Sequence, residues 1–140
     1  MGKVEHCITF LLGKAYQKSQ QIAKQHLNAF QITPVQYAVL LILWEKDGQY
    51  IAELGTRLKL DGATMTGIID RLVQKNLIEK HADAKDRRIN KIMLTEKGKS
   101  LENQLINAMN AGHQEILSEL TETEMVTLKA ILAKIGDVKR

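Results

Sequence analysis

Between Leu60 and Leu94 the spacing of apolar residues changes period, and the rest of the chain is organised around that change. Met65, Ile68, Ile69 and Leu72 recur at i, i+3, i+4 and i+7, one apolar stripe on a helix. Asp61 stands where an N-cap belongs, since its carboxylate can accept from the orphan N–H groups of the first turn. Asn76 stands at the far end, a residue that tolerates the left-handed backbone helices often end on. Two short runs with strand-like content follow, Ile78 to Ala82 and Ile89 to Leu94. The polar stretch between them, Asp83-Ala84-Lys85-Asp86-Arg87-Arg88, is turn-prone and predicts a hairpin with a charged tip.

The flanking pattern is helical. Val4, Ile8, Leu11, Leu12, Ala15, Ser19, Ile22, Ala23, Leu27 and Phe30 keep one face, predicting a single long first helix. Thr33-Pro34 reads as N-cap and first helical position of a second helix that reaches about Lys46. From Tyr37 to Trp44 that helix is apolar all round, as a central buried helix would be, and Asp47-Gly48 ends it. A short third helix spans Ile51 to Leu58, joined to the fourth through Lys59-Leu60-Asp61-Gly62. Thr95 caps a long fifth helix carrying Leu101, Leu105, Ala108, Met109, Gly112, Ile116 and Leu117. Thr121-Glu122-Thr123-Glu124 forms a capping box for a sixth, with Met125, Leu128, Ile131, Leu132 and Ile135. The long terminal stripes exceed what a small central unit can cover, so they predict pairing with a second copy.

Charge sharpens this picture. Residues 57–91 hold 9 Lys/Arg and 5 Asp/Glu, a net of +4, against 20 and 16 in the whole chain, also +4; the remainder carries 11 of each sign and sums to zero. The excess positive charge therefore sits on one helix, its approach and one hairpin, the footprint of a surface that meets a polyanion. The 140 residues suit one domain with a real core. A single cysteine excludes an intrachain disulfide and fits a reducing, cytoplasmic setting. The longest apolar run is eight residues, Tyr37 to Trp44, far short of a membrane span, and Ile8 to Leu12 is too short for a signal peptide.

On specific residues, the chain resembles the MarR family of winged helix-turn-helix regulators. The matching segments are Ile51-Ala52-Glu53-Leu54 with Leu58, Leu60-Asp61-Gly62-Ala63-Thr64-Met65-Thr66, Asp70-Arg71-Leu72 and Lys75-Asn76-Leu77-Ile78. Asp86-Arg87-Arg88 and Leu94-Thr95-Glu96-Lys97-Gly98 complete them, and the D-R-R tip followed by L-T-x-x-G is the more specific part. Asn76 departs from the glycine usual in the family but can fill the same conformation. The resemblance implies a mainly α fold with a small β-hairpin wing and six helices, in one domain spanning residues 1–140. Residues 33–95 would form the DNA-binding lobe, and residues 1–32 and 96–140 would interlock a triangular homodimer.

The resemblance also implies which residues meet DNA. Arg87 and Arg88 at the hairpin tip suit a narrow, electronegative minor groove, although charged tips are often only solvated. Thr64 and Thr66 lie in the first turns of the recognition helix, where a hydroxyl meets phosphate or base and a methyl meets thymine; small Gly62 and Ala63 allow close approach. Arg71 and Lys75 read as phosphate contacts, and Asp70 and Asp86 as carboxylates that orient wing arginines. For Asp70 the plainer reading is a surface pair with Lys75 or Gln74. In the family, small aromatic or carboxylate ligands bind between dimer helices and DNA-reading lobe, which would place Lys14, Tyr16 and Tyr37 around a ligand; the plainer reading is a solvated lysine and a core tyrosine. Some relatives sense peroxide through a cysteine held by two tyrosines, but Cys7 falls two positions early and the tyrosine positions hold Ala23 and Pro34.

The four histidines show no metal-ligand spacing, and no phosphate loop or catalytic motif appears, so no cofactor, metal or enzymatic activity is expected. The expectation is a homodimeric regulator that binds double-stranded DNA at a pseudo-palindromic operator, a repressor released by a phenolic, aromatic-carboxylate or acyl effector. Its rivals are a redox-sensing regulator acting through Cys7 and a winged-helix module that binds protein, which would need neither the wing arginines nor the localised charge.

Overall fold

The computed structural model describes residues 2–139, so the two end positions of the expected 1–140 domain lie outside it. Seven α-helices and one three-stranded antiparallel sheet follow in order: α1 (Ile8–Leu27), α2 (Pro34–Glu45), β1 (Gln49–Tyr50), α3 (Ile51–Leu58), α4 (Gly62–Gln74), β2 (Ile78–Ala82), β3 (Asn90–Leu94), α5 (Glu96–Ser100), α6 (Glu102–Ile116) and α7 (Glu122–Ile135). The sheet order is β1-β3-β2. This is the winged helix-turn-helix arrangement: α3 and α4 form the paired helices, and β2–β3 the wing.

Local chemistry explains the element boundaries. Thr33 Oγ1 accepts from the Gln36 N–H, and Gln36 Oε1 accepts from the Thr33 N–H, both at 3.2 Å, a reciprocal cap with Pro34 at the first helical position. Tyr37, Val39, Leu40, Ile42 and Leu43 of α2 are buried, whereas Leu41 faces outward. Asp61 accepts from the Thr64 N–H at 2.7 Å and opens α4, whose Met65, Ile68, Ile69 and Leu72 are buried. Between the two helices Lys59 turns through the left-handed region, φ 58°. Gly55 lets them cross closely, because a Cβ there would lie 3.1 Å from the Leu60 carbonyl oxygen and 3.2 Å from Met65.

Three expectations need correction. The first long helix is not continuous: Val4–His6 and Asn28–Phe30 are tight 3-10 turns around α1, Cys7 is extended, and Gln31 at φ 55° redirects the chain into α2. The fifth helix is two. Leu101, with ψ −4°, interrupts it, so that α5 stays against the sheet while α6 runs along α1. There Leu105, Met109 and Gly112 are buried within one chain, with Gly112 against the His26 ring. Third, Gln49 and Tyr50 add a strand to the expected hairpin, opposite Ile92 and Lys91, and β3 begins at Asn90 rather than Ile89. Among the described residues no single helix is long and apolar enough to cross a membrane; Ile8–Phe30 and Pro34–Glu45 pass such a test only together, across a 69° bend, and α2 is the core helix of the lobe.

One junction ties these layers together. Asn76, φ 60°, ends α4 in the left-handed region, as expected of it. Thr95 Oγ1 donates to the Asn76 carbonyl at 2.7 Å, the Thr95 N–H donates to the Leu77 carbonyl at 3.1 Å, and the Gly98 N–H donates to Thr95 Oγ1 at 3.0 Å. The Trp44 indole N–H reaches the Gly98 carbonyl at 2.9 Å. A Cβ on Gly98 would sit 2.2 Å from the Leu77 carbonyl oxygen, inside contact distance of backbone that cannot yield cheaply. Gly98→Ala is therefore expected to destabilise the fold by about 1–3 kcal/mol, as overpacking does. Urea unfolding at fixed protein concentration checks this; an unchanged midpoint would mean that the junction has slack.

Candidate DNA interface

The buried stripe of α4 leaves Gly62, Ala63, Thr64, Thr66, Gly67, Asp70, Arg71 and Gln74 exposed. Thr64 and Thr66 stand in the first two turns, on the outward side, where the sequence places them. The Thr66 hydroxyl donates to the Gly62 carbonyl at 2.9 Å, so it offers its lone pairs and methyl outward rather than its proton. A Cβ on Gly62 would meet nothing within 4 Å, leaving the start of the helix open to approach. Arg71 follows on the exposed face.

The wing tip is held by two aspartates. Asp83 Oδ2 accepts from the backbone N–H groups of Lys85 and Asp86, each at 3.0 Å. Asp86 Oδ1 accepts from the Arg88 N–H at 3.1 Å and from Arg88 Nε at 3.0 Å, while Oδ2 accepts from Nη2 at 3.1 Å. The guanidinium is thus gripped in fork geometry while the side chain stays 89% exposed. Its hydrogen bonds hold the Asp86 carboxyl below the usual carboxylate range, keeping the clamp ionised. Asp86 therefore sits where an orienting carboxylate is expected.

Sequence reasoning missed the brace behind this clamp. The Tyr50 hydroxyl donates to Asp83 Oδ1 at 2.6 Å, and Lys91 lies over the Tyr50 ring, 5.8 Å from its centroid. That hydrogen bond lowers the Asp83 carboxyl and raises the Tyr50 phenol. A strand of two residues has no period to read, so Tyr50 gave no sign of pairing beside the wing; the Asp at the start of a turn was the only available signal.

Two expected roles change. Asp70 does not hold a wing arginine: its Oδ1 pairs with the Lys80 ammonium on β2 at 2.6 Å, joining recognition helix to wing base. Lys75 is not poised as a phosphate contact. Its ammonium donates to the Gln31 carbonyl and to Gln36 Oε1, the latter at 2.7 Å, fastening the end of α4 to the α1–α2 turn. Desolvation there, then Arg71 nearby, lowers its pKa. Arg57 pairs with Glu45, outside the basic stretch; counting Glu45 leaves 9 cations against 6 carboxylates, a local excess of +3.

The three ligand candidates do not converge within one chain. Tyr37 is 6% exposed and packs edge-on against Trp44, centroids 6.1 Å apart, a core residue. Lys14 lies over the Phe10 ring and donates to Gln17. Tyr16 instead borders an open cleft of about 430 Å³ with Gln17, Gln20, Gln21 and Lys24. Cys7 is exposed.

An exposed helix-turn-helix face beside a braced basic wing defines a winged-helix DNA-binding regulator. Comparison with known proteins gives the same class. A sequence model of the MarR family matches residues 32–89. The organic hydroperoxide resistance transcriptional regulator of Bacillus subtilis (strain 168) is 34% identical over 108 residues, covering 75% of this chain and 71% of that protein. The crystal structure of a mutant MarR from E. coli complexed with operator DNA superposes with a TM-score of 0.82 at 28% identity, covering 89% of this chain and 90% of that one. Bordetella bronchiseptica BpsR, solved to explain regulation of its DNA binding by 6-hydroxynicotinic acid, gives 0.88 at 26% identity over 96% of both chains. The chain belongs to the MarR family of transcriptional regulators.

One substitution separates a fastening role for Lys75 from a DNA-contacting one. Lys75→Met is expected to cost about 1.5–3 kcal/mol of unfolding free energy, the scale of a hydrogen bond from a charged group. It should leave the salt slope of DNA binding intact, whereas a slope lowered by about one unit per subunit would restore the phosphate-contact role.

Proposed function

We propose that this protein is a homodimeric, cytoplasmic repressor that binds a pseudo-palindromic operator and is released by a small phenolic, aromatic-carboxylate or acyl ligand. The observation that carries the DNA-reading part is the clamped, 89% exposed Arg88 standing on the same lobe as the open face of α4. In this reading residues 33–95 read DNA, with Thr64, Thr66, Gly62 and Ala63 in the major groove, Arg71 at phosphate, and Arg87 and Arg88 in the flanking minor groove. The flanking helices dimerise. Val126, Ile131, Leu132 and Ile135 are 43–65% exposed, and α7 has no buried residue. Val4, Ile8, Leu11 and Leu12 of the first helical segment are exposed as well. Apolar surface of that extent calls for a cover, and a second copy supplies it by symmetry.

Release would be geometric. Two recognition helices enter successive major grooves only when they sit about 34 Å apart. A ligand in the cleft beside Tyr16 and Lys24 that favours another spacing needs a coupling of ~1–3 kcal/mol to act. A redox input through Cys7 is the second reading, kept by its exposure and by the similarity to a hydroperoxide-resistance regulator. Against it stand the two tyrosines that hold a sensing thiolate in such relatives, whose positions are taken here by Ala23 and Pro34; the groups around Cys7 are Gly2, Lys3, Val4 and His6. Cys7→Ser is expected to respond to organic peroxide as the unaltered protein does; peroxide release lost only in the variant would make Cys7 the input.

Arg88→Ala is expected to weaken binding to the DNA upstream of the protein's own gene and to lower the salt slope by roughly one unit per subunit. Unchanged affinity in it and in the Arg87–Arg88 double variant would end the minor-groove assignment. Leu132→Glu is expected to shift the protein to monomer in sedimentation at micromolar concentration and to abolish operator binding together; a dimer that persists would place the interface elsewhere.

A further inference from the structure

Gly67 sits in the interior of α4, where glycine is a poor choice. It has no backbone reason to be there: Gly48 is the one glycine with positive φ among the described residues, and Gly67 is in ordinary helical geometry. Packing gives no reason either, since a Cβ at Gly67 would meet nothing within 4 Å. Gly55, Gly98 and Gly112, by contrast, each face a neighbour at 3.3 Å or less. Gly13 in α1 shares the open surroundings but lies among Ile8, Leu11 and Leu12, the exposed apolar face assigned to a second copy.

Its position on the helix is specific. At 100° per residue the buried stripe of Met65, Ile68, Ile69 and Leu72 points one way, and Ala63, Gly67, Asp70 and Gln74 point directly away from it. Thr66 borders Gly67 on one side, and Thr64 and Arg71 on the other. A body meeting the helix head-on therefore meets Gly67 before any other residue of the second turn. Asp70 is drawn aside to Lys80, which leaves that approach clear.

A chain that gives up helix stability at a site with no internal need for glycine has an external need for the space. We propose that Gly67 is the point of closest approach between the recognition helix and the base edges on the floor of the major groove, so that its missing side chain sets which operator sequences fit. The proposal rests on the DNA-reading role of α4 given above. The wing and the phosphate contacts hold the lobe on any duplex. A Cβ at 67 would lift the helix from bases whose projecting groups the glycine admits, and would be felt most on the preferred sequence.

The test uses the full-length protein, a duplex selected by it from a random pool, and an unrelated duplex of equal length. Gly67→Ala is expected to raise the melting temperature by about 2–5 °C, as an exposed helical alanine does. It should lower affinity for the selected duplex about tenfold or more, within the range of a mismatched base pair, with a smaller change on the unrelated one. Gly67→Gln, a good helix former with a longer side chain, is expected to lose more on the selected duplex. Selected-duplex affinity that is unchanged, or that falls in parallel with the unrelated duplex, overturns the proposal while leaving α4 as the reading helix. A chain that selects no duplex from the pool overturns both readings together.

Discussion

The structure depends on one close contact, that of Gly98 against the Leu77 carbonyl. Three elements with separate tasks meet there. Leu77 follows the end of α4, and its carbonyl takes the Thr95 N–H that leaves β3. Gly98 lies in the middle of α5, the passage to the long terminal helices, and its own carbonyl takes the indole N–H of Trp44 in the central helix. Each partner's polar group is satisfied by one of the others, so none can shift alone without orphaning a buried donor or acceptor. The junction thus joins the end of the recognition helix to the beginning of the terminal helices. Lys75, bound to the turn between α1 and α2, supplies a second fastening at the same end of α4.

Periodicity made the central part of this fold legible. The stripe from Met65 to Leu72, the Asp61 cap, the Thr33-Pro34 start and the left-handed Asn76 all follow from local chemistry, and local chemistry decided them. What escaped was set by contacts distant in sequence. The continuous stripe from Val4 to Phe30 gave no sign of the turns at its ends. The fifth helix breaks at Leu101 because its two halves pack on different partners, the sheet and α1, a choice that a helical wheel does not contain. The strand Gln49–Tyr50 is too short to carry a period.

The site shows the same division. The type and position of the Asp86–Arg88 clamp were readable because two residues apart on a tight turn are neighbours in any fold. The partners of Asp70 and Lys75 within the chain, Lys80 and Gln36, are not legible in the pattern because they lie 10 and 39 residues away. Charge counting located the basic lobe but overstated it, since Glu45 neutralises Arg57 from outside the stretch. For Tyr37 the family resemblance implies a place beside a ligand, whereas its burial makes it part of the core, the plainer of the two readings. Which side chains are spent on the fold and which are left for a partner is decided by tertiary pairing.

In the proposed function two lobes, each held by its own bracing contacts, read two inverted half-sites as one symmetric body. The measurement that bears on it most directly is affinity for an operator in which five base pairs are inserted between the half-sites, about half a helical turn, compared with an insertion of ten, about one turn. Two braced lobes on a fixed two-fold axis predict that the half-turn insertion abolishes dimer binding and that the full turn restores the facing of the half-sites while stretching their spacing. Affinity that survives the half-turn insertion would contradict the account, because lobes free to rotate independently could be neither held on an operator nor released from it by a change in their spacing.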